Sequence, residues 1–331
     1  MKKFDHYEID SISAACAMLG AYGGSMIPIA GGTDLITVLK ADILPQYPEA
    51  VLDLKGIPGL CDISEKNGFL YIGAMAVLRD IVGSEIVKLR YSALAEAADK
   101  VASPQIRNIA TIGGNICQDT RCWYYRYPAK LGGGAVMCPR KVGKGACMAI
   151  RGDNRYHAIL NARKCFAVCP SDTAIALAAL DANLIIVSTN GERRIAVKDF
   201  YNPLGNALEY GELVQQIEIP VINAECGQSF IKYAHRASID FALVSAAAVL
   251  NMKEGVCQAA RLALGAVAPG PVRPDKAEAF LSGKEINPDV AAEAANIALA
   301  GAVTLSMNEY KVDIAKAIAK RAILEAAARC K

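Results

Sequence analysis

The chain has 331 residues, 53% of them apolar and 21% charged, with a formal net charge of +3. That length allows two domains, the apolar content excludes a disordered chain, and lysines and arginines interleaved with acids exclude a nucleic-acid-binding stripe. No run approaches the ~18 consecutive apolar residues of a membrane span.

In chain order, Ser11 is the cap of an alanine-rich helix from Ile12 to Gly20, and Met26-Ile27-Pro28-Ile29-Ala30 reads as a short strand. Gly31-Gly32-Thr33-Asp34 then leads into a helix start at Leu35-Ile36-Thr37-Val38-Leu39. Asn67-Gly68 and Asn190-Gly191 each carry the signal of a type I′ hairpin turn. Helices are expected around Leu78 to Val87 and Ala93 to Val101, without the regular βαβ spacing of a doubly wound sheet. Ile217-Glu218-Ile219-Pro220 ends a strand, and a domain boundary falls between Pro220 and Gly227. Beyond it, Phe230 to Asn251 and Ala260 to Ala268 read as strands and a helix. Asn287-Pro288 is an N-cap with proline at the first helical position, Val290, Ala294, Ile297 and Ala298 share one helical face, and a last helix runs from about Asp313 to Arg329. There is no internal repeat.

Met1-Lys2-Lys3-Phe4-Asp5-His6-Tyr7-Glu8 has no apolar stretch behind its lysines, so the N-terminus is not read as a signal peptide. The expectation is a cytoplasmic protein, whose thiols stay reduced or bind metal rather than pairing. That matters because six of the eleven cysteines fall within the 53 residues from Cys117 to Cys169. The spacing is Cys122, fifteen residues, Cys138, eight, Cys147, seventeen, Cys165, three, Cys169, with Cys117 upstream. Four soft thiolates select zinc or an iron–sulfur centre. Only Cys165 and Cys169 are as close as a zinc knuckle, and the run is not that of a bacterial ferredoxin, so iron–sulfur, zinc and no metal all stay open on spacing. His157, inside this stretch, is either a ligand or a hydrogen-bonded structural histidine.

Two further constellations carry chemistry. The Gly-Gly turns at 31–32 and 113–114 sit where backbone amides can approach an anion, though each alone is also an ordinary turn. Neither is a GxGxxG fingerprint, so a Rossmann fold is not indicated. Lys232, Arg236 and Asp240 form the third group, with Lys232 either reaching a cofactor held by the first domain or lying solvated on the surface.

Taken in order, Ala30-Gly31-Gly32-Thr33-Asp34-Leu35, Ser103-Pro104-Gln105-Ile106-Arg107-Asn108, Thr111-Ile112-Gly113-Gly114-Asn115 and Pro170-Ser171-Asp172 resemble the FAD-binding medium subunit of the molybdenum hydroxylases. That family includes the xanthine dehydrogenases, aldehyde oxidases and aerobic carbon monoxide dehydrogenases. The likeness continues through Gly211-Glu212-Leu213, Lys232 to Asp240 and Leu264-Gly265-Ala266-Val267-Ala268. It implies an α+β fold: a two-subdomain FAD-binding domain of the PCMH type over 1–222, then a smaller C-terminal α+β domain over 226–331 with an antiparallel sheet and helices. It also implies that Ile29, Ala30, Gly31, Gly32, Thr33, Asp34, Leu35 and Ile36, with Ala110, Thr111, Gly113, Gly114 and Asn115, hold FAD. Val101, Asp172, Val214 and Lys232 match positions that contact FAD in relatives.

Where ordinary members are short, 56 residues separate Asn115 from Asp172 here. Such an insertion, at about 117–169, resembles the β subunit of 4-hydroxybenzoyl-CoA reductase, which carries an extra [4Fe-4S] cluster. The likeness implies Cys122, Cys138, Cys147 and Cys165 as ligands, Cys169 as the reserve for the fourth, and Cys117 as a core thiol. No nucleophile–base pair or paired carboxylates are visible, so no catalytic residue is assigned and the chemistry belongs to the flavin. The family implies a molybdopterin-binding large subunit, a [2Fe-2S] small subunit, and NAD or ferredoxin as carrier, with no nucleic acid or membrane partner. The rivals are a stand-alone flavin oxidoreductase and a zinc-stabilised docking module in the insertion.

Overall fold

A computed structural model describes residues 1–223 and 225–330. The expected end of the C-terminal domain at Lys331 lies outside the described residues.

The N-terminal subdomain is a three-stranded parallel sheet in which Ala50–Asp53 runs between Asp5–Glu8 and Met26–Ile29. Helix Ile12–Tyr22 packs on it through Ala15, Cys16 and Leu19, begun by Ser11, whose hydroxyl accepts from the Ala14 amide, and ended by Gly23 at φ 54°. The second subdomain is a five-stranded antiparallel sheet in the order Ile63–Lys66, Phe69–Gly73, Leu213–Pro220, Asn183–Ser188, Gly191–Ala196. Its core gathers the sheet's apolar face, helices Ser92–Asp99 and Asp172–Ala179, and part of the C-terminal sheet.

The first hairpin turns at Asn67 and Gly68, φ 52° and 80°, as its dipeptide predicts. The second does not. Ser188 pairs with Gly191, so the turn residues are Thr189 and Asn190, and the glycine opens the return strand at φ 114°. The single helix expected over 78–87 is two, Leu78–Gly83 and Glu85–Arg90, because Ser84 takes an extended conformation between them.

The C-terminal unit is a three-stranded antiparallel sheet, Gly227–Tyr233, Val244–Lys253 and Val256–Gly265, covered by helices Asp275–Leu281, Pro288–Leu299 and Tyr310–Ala328. The helix expected between Phe230 and Ala268 is absent. Val244 to Leu250 is buried throughout, with Ala246 and Ala248 facing the C-terminal helices and Ala247 and Val249 facing the first domain. A strand buried on both faces loses the alternation that marks it in sequence.

Residues 118–168 form a separate lobe with little regular structure: one-turn helices Trp123–Arg126 and Pro139–Val142, a hairpin pairing Lys130–Leu131 with Gly134–Ala135, and a 3-10 turn at Met148–Ile150. Its small core, Tyr125, Val136 and Cys138, rests on Val38 and Ile43 beyond the first Gly-Gly turn. Its far end is sewn to the C-terminal unit, where the Ile159 and Leu160 amides donate to Val267 O. The fully buried Lys311 Nζ donates to Ala266 O at 2.6 Å and His157 O at 3.1 Å.

Candidate functional site

The second Gly-Gly pair is not a loop turn but lies in the first turn of helix Ile112–Cys117, and both pairs need glycine for lack of space. A Cβ on Gly31 would stand 2.1 Å from Ile109 O, and one on Gly113 would stand 2.8 Å from Ala74 O. Gly32, at φ 72°, sits between the tips of Ile29 and Ile36. Gly31 thus abuts the Ile109–Ala110 backbone, Gly113 abuts Ala74, and a Cβ on Gly114 would meet that of Ala30 at 3.9 Å. Thr111 fixes the second turn by accepting from the Gly114 amide at 3.1 Å. Asn115 Oδ1 accepts from the hydroxyls of Ser171 (2.6 Å) and Thr173 (2.7 Å), which bolts the turn to the start of helix Asp172–Ala179.

These pieces enclose a cavity of about 540 Å³, within the ordinary range for a small-molecule site. Ala30 to Leu35 line it, as do Val101, Ala110, Thr111, Gly113, Gly114, Asn115, Asp172, Val214 and Lys232. Of the residues proposed to hold the cofactor, Ile29 and Ile36 are not in the lining and pack around Gly32 instead. Val214 reaches the wall at a β-bulge, where Leu213–Pro220 slips register against Asn183–Ser188 and the Gln215 carbonyl turns to accept from Ala74 N.

Lys232 is not a solvated lysine. Its Nζ donates to Asp172 Oδ2 at 2.7 Å and to Lys100 O at 3.0 Å, and both charged side chains are about nine-tenths buried or more, at 7% and 6% exposed. Burial raises the Asp172 carboxyl, and Lys232 opposes that rise. This pair ties the C-terminal sheet to the first domain at the cavity wall. Arg236 and Asp240 instead pair with each other in a loop, Arg236 exposed and Asp240 partly buried, and only Asp240 touches the cavity.

Sequence reasoning missed other lining residues. The Arg121 guanidinium lies over the Phe241 ring at 4.6 Å. Ile239 holds φ 74°, strained for a β-branched residue, and its amide donates to Ala102 O at 3.1 Å. No local signal marks these residues, since each acts through a partner more than a hundred residues away. Asp34 was placed at the cofactor, but its side chain does more than line the cavity. It accepts from Arg121 at 2.7 Å and Arg126 at 2.9 Å and from the Asp119 amide at 2.9 Å, joining the first Gly-Gly turn to the lobe on either side of Cys122.

In the lobe, Cys122, Cys138, Cys147 and Cys165 gather in one region. Burial pushes the Cys122 thiol up to about 12, with Cys165 and Cys138 adding to the rise. Burial also raises Cys138, and Cys165 and Cys147 add to it. Cys169 lies elsewhere: burial pushes it up to about 11, beside Tyr201, a neighbour it shares with Cys117. All eleven cysteines are free thiols, and among the described residues no three His, Cys, Asp or Glu side chains converge at ligation distance. Thiolates are soft donors by chemistry, but this structure does not bring the four together as a ligand set. His157 Nε2 is 3.2 Å from Cys122 Sγ, in edge contact with Trp123, and its buried Nδ1 has no partner. Among the described residues no helix is long and apolar enough to cross a membrane.

Comparison with known proteins fits this geometry. Residues 2–222 match the model of the FAD binding domain in molybdopterin dehydrogenase, and residues 229–326 match the CO dehydrogenase flavoprotein C-terminal domain. The aldehyde oxidoreductase FAD-binding subunit PaoB of Escherichia coli is 35% identical over 85% of this chain and 87% of its own. The carbon monoxide dehydrogenase medium chain of Afipia carboxidovorans is 28% identical over 99% of this chain and 98% of its own. A solved carbon monoxide dehydrogenase from Hydrogenophaga pseudoflava superposes with a TM-score of 0.80 at 27% identity, covering 100% of this chain and 99% of that one. With both domains matched in order around a shared cavity, the chain belongs to the FAD-binding medium subunits of the molybdenum hydroxylase family and is an oxidoreductase subunit.

Proposed function

We propose that this chain is the electron-relay subunit of a multi-subunit molybdopterin hydroxylase, dehydrogenase or reductase. It works between the [2Fe-2S] clusters of a small subunit, which serve a molybdopterin site in a large subunit, and an external carrier, NAD or ferredoxin. The observation that carries this reading is the cavity itself, walled by both Gly-Gly segments and closed where Lys232 of the C-terminal unit meets Asp172 of the first domain. Bound there, FAD would supply the conversion between two-electron and one-electron transfer.

The roles of the residues follow from their positions. The amides around Gly31 and Gly32 would receive the pyrophosphate, while those of Gly113 and Gly114 are taken by Ala74 O and the Thr111 hydroxyl, which fix the opposite wall. Lys232 sets the charge of the wall where Asp172 would otherwise stand alone. With the domains divided at 1–222 and 226–331, the cavity would lie between them, each supplying part of the wall.

In this reading Cys122, Cys138, Cys147 and Cys165 hold a [4Fe-4S] cluster, as in the β subunit of 4-hydroxybenzoyl-CoA reductase. Support comes from the lobe's thin core. Fifty-one residues with little regular structure share one small core of their own, Tyr125, Val136 and Cys138, which a metal centre would reinforce. The separation of Cys169 from the group favours Cys165 as fourth ligand. Eleven free thiols suit the reducing cytoplasm. A second reading, a zinc docking module, has His157 beside Cys122 in its favour.

The test is purification under anaerobic conditions, with flavin and metal analysis and identification of the associated chains. The reading expects FAD, iron without zinc, and two partner chains. A flavin-free protein refutes it, zinc selects the docking module, and a flavoprotein without partners selects the stand-alone oxidoreductase.

A further inference from the structure

Strands Gly227–Tyr233 and Val244–Lys253 are joined by residues 234–242, and this loop supplies Ile239, Asp240 and Phe241 to the cavity lining. Little binds the loop to itself. The Leu243 amide donates to Tyr233 O at its base, and Asp240 accepts from the Arg236 amide and guanidinium. Its outer face is in water, with Ile239 59% and Phe241 45% exposed. What holds it over the cavity is contact with other parts of the chain. The Ile239 amide reaches the first domain at Ala102 O, 3.1 Å away. His235 Nε2 lies 3.2 Å from the Tyr156 hydroxyl, and Phe241 lies 4.6 Å from the Arg121 guanidinium, both partners belonging to the lobe.

The anchors are rigid. The carbonyls of Lys100, Val101 and Ala102 accept in turn from Lys232, Arg107 and Ile239. Arg121 is fixed by Asp34 Oδ1 at 2.7 Å, Asp119 O at 2.7 Å and Gln118 Oε1 at 2.9 Å. A guanidinium so held loses little freedom when a ring packs on its face. The loop, by contrast, closes at a cost, since Ile239 at φ 74° meets Ala102 at φ 46°, both in the region that L-residues disfavour. Arg121 and Phe241 also border a second cavity of about 30 Å³, beside Asp172 and Ser245, so the pair stands at the junction of the two.

We infer that residues 234–242 are a strap over the flavin cavity and that Arg121 and Phe241 are its latch, so that the lobe sets how firmly flavin is held. The inference rests on FAD occupying that cavity and asks for no metal in the lobe. Arg121 and Phe241 act here as positioning residues. With the strap down, the cavity is covered along the edge that Ile239, Asp240 and Phe241 supply; with it raised, flavin exchanges. A strained tip set against a few weak contacts leaves the two states close in free energy, the condition for an element that moves. A partly buried cation–π contact shifts such an equilibrium by roughly tenfold.

The experiment follows the exchange of bound FAD for isotope-labelled FAD in the purified complex. Phe241→Leu keeps apolar bulk without a ring face, Phe241→Tyr keeps the ring, and Arg121→Met removes the cation. Phe280→Leu, at a remote pair where Lys284 lies 4.3 Å from the Phe280 ring, is the control. The expected result is exchange roughly tenfold faster in Phe241→Leu at an unchanged unfolding midpoint, with Phe241→Tyr and the control near wild type. Arg121→Met should be at least as fast as Phe241→Leu, and adding Phe241→Leu to it should change little, because the two residues act as one contact. Wild-type exchange in Phe241→Leu overturns the inference. So does a Tyr variant as fast as the Leu one, which would reduce Phe241 to filling space, and so does an effect of Phe241→Leu that multiplies in full on Arg121→Met. If Arg121→Met fails to assemble, the comparison of Leu with Tyr at 241 decides alone. A complex purified without flavin removes the FAD reading and the strap together, whereas bound flavin with unchanged exchange removes the latch alone.

Discussion

Replacing Lys232 by methionine keeps the bulk of its stem and strands Asp172 in the cavity wall. Both heads are nearly buried at 2.7 Å separation, and removing one partner of such a pair costs about 3–5 kcal/mol. Two features of the site bound that figure. Asp172 opens a helix, whose N-terminal dipole gives back up to ~1 kcal/mol. The carboxyl can also escape by taking a proton, which from an unfolded value near 3.9 costs at most ~4 kcal/mol at pH 7 and ~1.5 kcal/mol at pH 5. Burial already raises Asp172, and the lysine that opposes the rise is gone in the variant. The folded variant therefore holds a proton that the unfolded chain has lost, and its stability falls as pH rises above the unfolded value. Urea unfolding of the flavin-free chain should show Lys232→Met destabilised by about 3 kcal/mol at pH 7 and by about 1–2 kcal/mol at pH 5. Adding Asp172→Asn removes the stranded charge and should recover most of the loss at pH 7. A penalty that does not depend on pH, or a double variant no more stable than the single one, would refute the reasoning.

Other outcomes follow from the same geometry. Gly31→Ala drives a methyl group into Ile109 O and should abolish flavin retention, read as lost visible flavin absorbance and a destabilisation of about 2 kcal/mol or more. Thr111→Ala leaves the Gly114 amide uncapped, and unfolding should report a loss of about 1 kcal/mol. Cys147→Ser and Cys165→Ser should each bleach the broad iron–sulfur absorption while FAD stays bound, whereas Cys169→Ser should leave the band intact; the opposite result for 165 and 169 exchanges their roles. Asn115→Ala strands two buried hydroxyls and should cost about 2–3 kcal/mol and weaken flavin binding, as equilibrium dialysis would measure.

What the sequence revealed was mostly local. Ser11, Asn67-Gly68 and Asn287-Pro288 act on their own neighbours and do so in the structure. The glycine pairs were legible because only bare backbone fits at Gly31 and Gly113. Asn190-Gly191 misled because a register slip of one residue moves the glycine out of the turn. Val244 to Leu250 could not be told from a helix, since small residues buried on both faces leave no period. The burial of Lys232 depends on an aspartate sixty residues away, and the reach of Asp34 depends on two arginines some ninety residues on.

Asp34 has one more consequence. A single carboxylate belongs at once to the wall of the flavin cavity and to the arginines on either side of Cys122. Whatever orders one neighbourhood must lower the free energy of ordering the other by the same amount, because coupling between two binding equilibria is reciprocal. Flavin release should therefore loosen the thiol lobe, and disordering the lobe should hasten flavin release. The two sites would then be gained and lost together, with Asp34→Asn as the change that weakens the link.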